Sequence, residues 1–361
     1  MAIGVTMYQQ IKQILLLLLF SWFSRSLFAQ QKEIAEGLVQ AGVILQDAGQ
    51  VDSAIAKYHR ALELDKNNLP ALGEMAYSFL TAGKYEESIR YAKMAIKTHP
   101  GDPELQTVYV SYGNALDGLG KTGKAIDIYN EGIGLFPTYF QLYYNRGVSQ
   151  NTLHQTEEAI RSFQKSVSLN PDHPGSHNAI GHILFNNNNI PALLAFCRYL
   201  VLEPAGRRAA DNLENIQKIM GAHVTKSPED RITVTISPDL LDTKKTDHQN
   251  NFSSAELMLA LSSALDNDSS NINKTAVEKF IRKFSALCSF LKETEKNGYG
   301  FYWDYYVPYF IEMNDQGFVE TFAYIAFSSS KTPDLKEWME AHKTEIDHFY
   351  KWSKGFQWRI N

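Results

Sequence analysis

The sequence predicts an all-α chain, with about five helix–turn–helix repeats stacked as a solenoid and closed by a capping helix, followed by a small helical C-terminal domain. Three observations carry this reading. Small residues, aromatics and prolines recur at a period close to 34 residues between positions 35 and 206. Within each period the apolar residues follow helical spacing. After a polar stretch, helical spacing returns from Ser253 to the end of the chain.

The recurrence involves several residue classes in phase. Gly42, Ala76, Gly113, Gly147 and Gly181 follow one another at steps of 34, 37, 34 and 34 residues. Ala54, Ser88, Ala125, Ala159 and Ala192 step by 34, 37, 34 and 33. Tyr58, Ala92, Tyr129, Phe163 and Phe196 stand four residues after each of these, and Pro100, Pro137, Pro171 and Pro204 close successive units. Two antiparallel helices approach closely only where a small residue faces its neighbour, and the aromatic fills the space beside that contact. Gly49, Gly83 and Gly120 supply the left-handed residue that a tight turn between helices requires. Each proline stops the second helix of its unit. The units are 35–68, 69–102, 106–139, 140–173 and 174–206. Pro103 to Leu105 lengthen one junction, and the last unit is one residue short before Ala192. In the segment Arg207 to Met220, Leu213, Ile216 and Met220 are placed as the apolar face of a helix that covers the open end of the array, which completes a solenoid over 35–220.

From Ala35 to about Gly206 the pattern resembles the tetratricopeptide repeat (TPR). The resemblance implies a right-handed α-solenoid whose first (A) helices line a concave groove that accepts an extended peptide or a partner helix. Carried over position by position, it places Tyr77, Leu80, Val110, Asn114, Asp117, Tyr144, Asn151, Asn178, His182 and Phe185 on that face. Asparagine amides bond a peptide backbone as donor and acceptor, and aromatic rings supply contact area. The expected binding residues are Tyr77, Asn114, Tyr144, Asn151, Asn178, His182 and Phe185. The best-known members hold a C-terminal carboxylate in a clamp of Lys, Arg and Asn. This set contains no Lys or Arg, which disfavours a chaperone-tail adaptor.

Residues 1–29 read as a secretory signal: Lys12 gives a positive start, Ile14 to Phe23 a short apolar core, and cleavage is expected after Ala29. Met7 is an alternative start. The apolar run is about ten residues, against the roughly twenty that span a bilayer, so an N-terminal membrane anchor is the second reading. Loss of Lys12 and Arg25 takes the net charge from −5 to −7. The expected location is periplasmic or secreted, with no membrane span left after cleavage. Cys197 and Cys288 are the only cysteines, and the sequence leaves open whether they pair or lie apart as buried thiols.

Residues 221–250 lose the helical pattern, carry Ser-Pro at 227–228 and 237–238, and read as a linker with a short strand at Ile232, Val234 and Ile236. Helical segments are then expected at 254–266, 273–295, 301–313, 318–329 and 334–354, which make a C-terminal domain over 251–361. Eight aromatics crowd between Tyr299 and Phe310. They form either a stacking platform for carbohydrate or the core of this domain and its seam against the last repeats, and burial of large rings favours the core.

Balanced charges, 35 Lys+Arg against 40 Asp+Glu with no long run of either sign, argue against nucleic acid as the main partner, because phosphate binding needs a concentrated basic face. No GxSxG, HExxH, CxxC or P-loop pattern occurs, so neither catalysis nor a cofactor is expected. His173, His177 and His182 are the best metal-ligand candidates, but their spacing does not bring two imidazoles to one helix face. The sequence therefore points to an exported, non-enzymatic scaffold that binds another protein or peptide. A C-terminal carbohydrate- or cell-wall-binding module, or an unfamiliar enzyme there, is the alternative.

Overall fold

The computed structural model describes residues 12, 28–226, 232–236, 249–330 and 333–359. The expected leader lies outside these residues except for Lys12, Phe28 and Ala29. The chain divides into two compact units, Met1–Leu153 and His154–Asn361. The division falls in the turn between the two helices of the repeat assigned to 140–173.

The first unit is built of helical hairpins. A helix over 28–47 (α1) pairs with α2 (Val51–Leu64), α3 (Leu69–Thr81) with α4 (Tyr85–Thr98), and α5 (Leu105–Gly118) with α6 (Thr122–Leu135), after which α7 (Phe140–Thr152) packs on α5 and α6. The small and aromatic series meet as the period predicts. A Cβ added at Gly42 would stand 2.3 Å from the Tyr58 ring, and one at Gly113 only 2.2 Å from Tyr129. Each glycine is thus a socket for the buried ring of the second helix in its own hairpin. The Ser88 hydroxyl adds a tie by donating to the Ala76 carbonyl at 2.7 Å.

The punctuation between helices follows local chemistry. Asn68 caps α3, its side chain accepting from the Ala71 amide at 3.0 Å, with Pro70 in the first turn. The turns inside the hairpins use left-handed residues, Gly49 at φ 76°, Gly83 at 71° and Gly120 at 70°. Where the repeats lack glycine, His154 (φ 59°) and Asn186 (φ 69°) take the same conformation. α4 and α6 each stop two residues before their proline, at Thr98 and Leu135.

The second unit starts with α8 (Thr156–Leu169) and the hairpin of α9 (Pro174–Leu184) and α10 (Asn189–Leu202). Gly181 receives Phe196 as Gly42 and Gly113 receive their tyrosines, with a Cβ 2.5 Å from the ring. α11 (Arg207–Gly221) buries Leu213, Ile216 and Met220 as the capping role requires. A small antiparallel pair, β1 (Val224–Lys226) and β2 (Ile232–Val234), follows with Val224 opposite Val234. The C-terminal helices are α12 (Ser253–Ala264), α13 (Ala276–Thr294), α14 (Phe301–Asp315), α15 (Val319–Phe327), α16 (Pro333–Ala341) and α17 (Lys343–Gly355). The segment expected as one helix over 334–354 is two, broken at His342.

These helices cover the last hairpin directly. α10 packs on α9, α11, α12, α14 and α15, and every residue from Ile190 to Val201 is buried. An all-round apolar helix has no solvent face to offer and must be enclosed. Its one cation, Arg198, is 1% exposed. The guanidinium donates to Tyr309 (3.2 Å) and Ser353 (2.9 Å) through one nitrogen, and to Asp172 (2.6 Å) and the Pro171 carbonyl (3.4 Å) through the other. The Tyr309 and Trp358 rings lie 4.9 and 5.0 Å from it. α14 supplies most of the seam: Tyr305 donates to the Val167 carbonyl at 2.9 Å, and Tyr306 meets His177 at 2.7 Å.

The aromatic cluster is consequently core, and the carbohydrate platform is ruled out as a reading of it. Trp303 is 5% exposed, stacks on Phe252 at 4.4 Å and donates its indole N–H to the Asn251 carbonyl. Tyr302, Tyr305, Tyr306, Tyr309 and Phe310 are buried with it. A ring with both faces packed has none to give a sugar, and of these aromatics Tyr299 alone is exposed.

Two stability outcomes follow. Gly113→Ala gains at most about 1 kcal/mol of helix propensity and forces a methyl into a ring whose hydroxyl is held by Asn114. The expected net loss is about 1–3 kcal/mol, the usual cost of overpacking, read from urea unfolding. His154→Gly relieves a left-handed non-glycine residue and loses part of that gain to the more flexible unfolded chain. It should stabilise by about 0.5–1 kcal/mol, seen as a raised Tm.

Candidate functional site

Of the expected groove residues, Tyr77, Leu80, Val110, Asn114, Asp117, Tyr144 and Asn151 lie in the first unit, and Asn178, His182 and Phe185 in the second. In the first unit the structure brings Tyr77 and Val110 to one cleft of about 720 Å³. Its walls come from the A helices: Gln40 of α1, Glu74 and Tyr77 of α3, and Val110 of α5, with Glu104 just before α5 and Tyr139 just before α7. Residues spaced by 3 and 4 on each A helix share one side, which brings Glu74 and Tyr77 of α3 to the same cleft. Tyr77 is 49% exposed.

The cleft is acidic. Among the described residues that line it, Glu74 and Glu104 are the charged ones and none is Lys or Arg. Burial holds the Glu74 carboxyl above its ordinary range and Asp47 adds to this, while a hydrogen bond from the Tyr58 hydroxyl, 3.5 Å away, opposes it. Glu74 has no ion-pair partner among the described residues.

The other expected residues are engaged to differing degrees. Asn114 accepts from the Tyr129 hydroxyl at 2.7 Å, and Asp117 accepts from the Ser149 hydroxyl. Tyr144 is half-buried on α7, and Asn151 is exposed near its end. In the second unit Asn178 accepts from Asn212 of α11 at 2.9 Å, so it helps seat the capping helix. His182 and Phe185 both turn their rings edge-on to Phe196, at 5.1 and 6.2 Å. The sequence register did not single out Glu74 and Glu104. Glu74 is three positions before Tyr77 on the same helix, a spacing that could have found it.

The histidines considered as metal ligands have other work. His173 caps α9, accepting from the Ser176 amide. His177 is fully enclosed: Nε2 stands 2.9 Å from the Pro171 carbonyl and Nδ1 2.7 Å from the Tyr306 hydroxyl. A carbonyl only accepts, so Nε2 carries the proton, Nδ1 is the acceptor and Tyr306 donates to it. Both nitrogens are used, and the neutral ring is the form that the site requires. Burial, with Arg198 next in importance, pushes its pKa down to about 3.

The depressed value makes the second unit acid-sensitive. Between the unfolded value of about 6.5 and about 3 the unfolded chain takes up a proton that the folded one refuses. Stability is therefore full above pH 6.5 and falls as pH drops through this window, by up to about 1.4 kcal/mol per unit. Trp303, Trp338, Trp352 and Trp358 all lie in the second unit and report its unfolding by fluorescence. His177→Gln, which keeps a donor and an acceptor but does not titrate, should be less stable at pH 7 and should show a shallower loss between pH 6.5 and 4.

Comparison with known proteins places tetratricopeptide repeats on residues 45–111, 106–139 and 140–173. The Hsp70-Hsp90 organising protein of Plasmodium falciparum is 23% identical over 124 residues, 34% of this chain and 48% of that protein. The small glutamine-rich tetratricopeptide repeat-containing protein 2 of Mycosarcoma maydis is 30% identical over 104 residues, 29% of each chain. The chain thus spans less than half the length of these curated relatives. Among solved structures, pilF of Pseudomonas aeruginosa is 19% identical over 52% of this chain and 90% of its own, with a TM-score of 0.43. The described fold is helical apart from the β1–β2 pair, with tetratricopeptide repeats over residues 45–173, and such repeats act in protein–protein interaction. No described helix is long and apolar enough to cross a membrane.

Proposed function

We propose that this chain is an exported, non-enzymatic scaffold that binds a peptide or a partner helix on the inner face of its repeats, with the cleft around Tyr77 as the principal contact. The observation that carries the reading is the cleft between successive A helices with a half-exposed tyrosine in its wall. An exposed tyrosine in the wall of a cleft offers a partner a large apolar face with a polar edge. Most of the walls come from residues 69–102 and 106–139, each a helical hairpin closed by a left-handed glycine, Gly83 and Gly120, and a preformed surface binds with a smaller ordering cost.

Export rests on the leader in residues 1–29, and placement in the periplasm or outside the cell follows from it. Asn114, Tyr144 and Asn151 are the further expected contacts on the first unit; Asn178, His182 and Phe185 belong to the second unit, where they meet Asn212 and Phe196. The C-terminal helices serve as an enclosure for the last hairpin, since the aromatic side chains that might have formed a second binding surface are buried.

The test is capture from an envelope extract on the immobilised mature chain, followed by mass spectrometry, with Tyr77→Ala as the paired bait. A specific protein retained by the native chain and reduced at least about tenfold by the substitution, the loss of a hot-spot contact worth roughly 1.4 kcal/mol or more, is the expected result. Retention indifferent to Tyr77→Ala would remove the cleft from the mechanism. The same protein recovered from the producing cell should have a mass that corresponds to a start at Gln30.

A further inference from the structure

The cleft's chemistry says more than that something binds. Resting on the reading of this cleft as a peptide-binding surface, we infer that its occupant is a segment bearing lysine or arginine, whose cation lies between Glu74 and Glu104 with its stem against the Tyr77 ring.

Three features of the cleft converge on a cation. Its fixed charge has one sign, from Glu74 on α3 and Glu104 at the start of α5, with no basic residue among those that line it. Glu74 is half-buried and its neighbour Asp47 is also acidic, so among the described residues the carboxylate has one long hydrogen bond, from Tyr58, and no ion-pair partner. A partly desolvated carboxylate without a counter-ion is a standing cost to the folded chain, and an incoming ammonium or guanidinium removes it. The third feature is the exposed ring of Tyr77, one helical turn from Glu74. An aromatic face beside a carboxylate suits the aliphatic stem and the cation of Lys or Arg. An acidic segment would meet like charge on both walls, which costs affinity and excludes it.

The opposite sign occurs elsewhere on the same unit. Lys93, Lys121 and Lys124 border a separate hollow between α4, α5 and α6. The acidity of the Tyr77 cleft is therefore a local property, and overall negative charge does not account for it.

A random twelve-residue peptide library displayed on phage, selected on the immobilised mature chain, tests this. Clones are first sorted by loss of binding to Tyr77→Ala, which identifies those seated in the cleft. The expected result is that these clones are enriched in Lys and Arg over the input library. As synthetic peptides they should lose at least about tenfold in affinity, roughly one charge-assisted hydrogen bond, on Glu74→Gln/Glu104→Gln. Glu86→Gln/Glu87→Gln, the same change in net charge placed on α4, should leave them within about twofold, the small effect expected of screened surface charge. Tyr77-dependent clones without Lys or Arg enrichment, or equal losses in both double variants, overturn the inference and leave the cleft as a peptide site. If no clone depends on Tyr77, the cleft reading itself falls, and this inference with it.

Discussion

A stack of helical hairpins does not close on itself. Each hairpin buries one side against its predecessor and presents a new apolar side to whatever follows. In this chain the demand is greatest at α10, where twelve consecutive residues from Ile190 to Val201 are buried. A single amphipathic helix covers one stripe of such a cylinder and leaves the rest. α11 is therefore insufficient alone, and α12, α14 and α15 complete the enclosure. The aromatic richness of α14 has the same origin. A helix that must fill space on several sides needs large side chains, and tyrosines bring hydroxyls that satisfy the polar groups trapped with them.

Arg198 shows how that enclosure is made specific. A buried cation is costly unless it is paired and hydrogen-bonded; both terminal nitrogens of Arg198 have partners, while its buried Nε has none among the described residues. Here Asp172 supplies the counter-charge, Ser353 and Tyr309 accept, and two aromatic faces flank the guanidinium. These partners come from the loop after α8, from α14, from α17 and from the segment beyond it. Four distant stretches of sequence must be in place at once for the charge to be tolerated. His177 adds a second condition beside it, since the neutral ring demanded by the Pro171 carbonyl and Tyr306 is also the form that a neighbouring guanidinium favours.

Much of this was legible before any coordinates. The 34-residue period, the socket glycines, the turn residues and the prolines all reflect interactions within one hairpin or between adjacent ones. Such short-range requirements repeat, and repetition is what makes them visible. The burial of α10 also had a signature that the period obscured. In α2, α4 and α8 the second helix of the repeat keeps a charged face, whereas NIPALLAFCRYLVL has Arg198 as its only charge. The loss of that face announces a further layer. What the sequence could not reveal was the identity of the layer, because the pairing of Tyr305 with Val167 spans 138 residues and follows no period. For the candidate site, the register offered Tyr77 and Val110, which line one cleft, but it named residues by position and was blind to whether each was already engaged.

That engagement separates the candidate contacts. Asn114 and Asp117 share an inner-face register with Tyr77, yet their oxygens are taken by Tyr129 and Ser149, both of which they hold in the packing of α5 on α6 and α7. Asn178 is taken by Asn212, and His182 and Phe185 lean on Phe196. Polar groups satisfied in this way gain little from a ligand, since binding would exchange one hydrogen bond for another. Glu74 and Tyr77 are in the opposite condition, one a desolvated carboxylate without a counter-ion and the other a large ring left half in water. The free energy available for recognition on the first unit is concentrated where the fold has left such groups unmatched. Selectivity for a cation then follows from the sign of the unmatched charge and needs no further element of the structure.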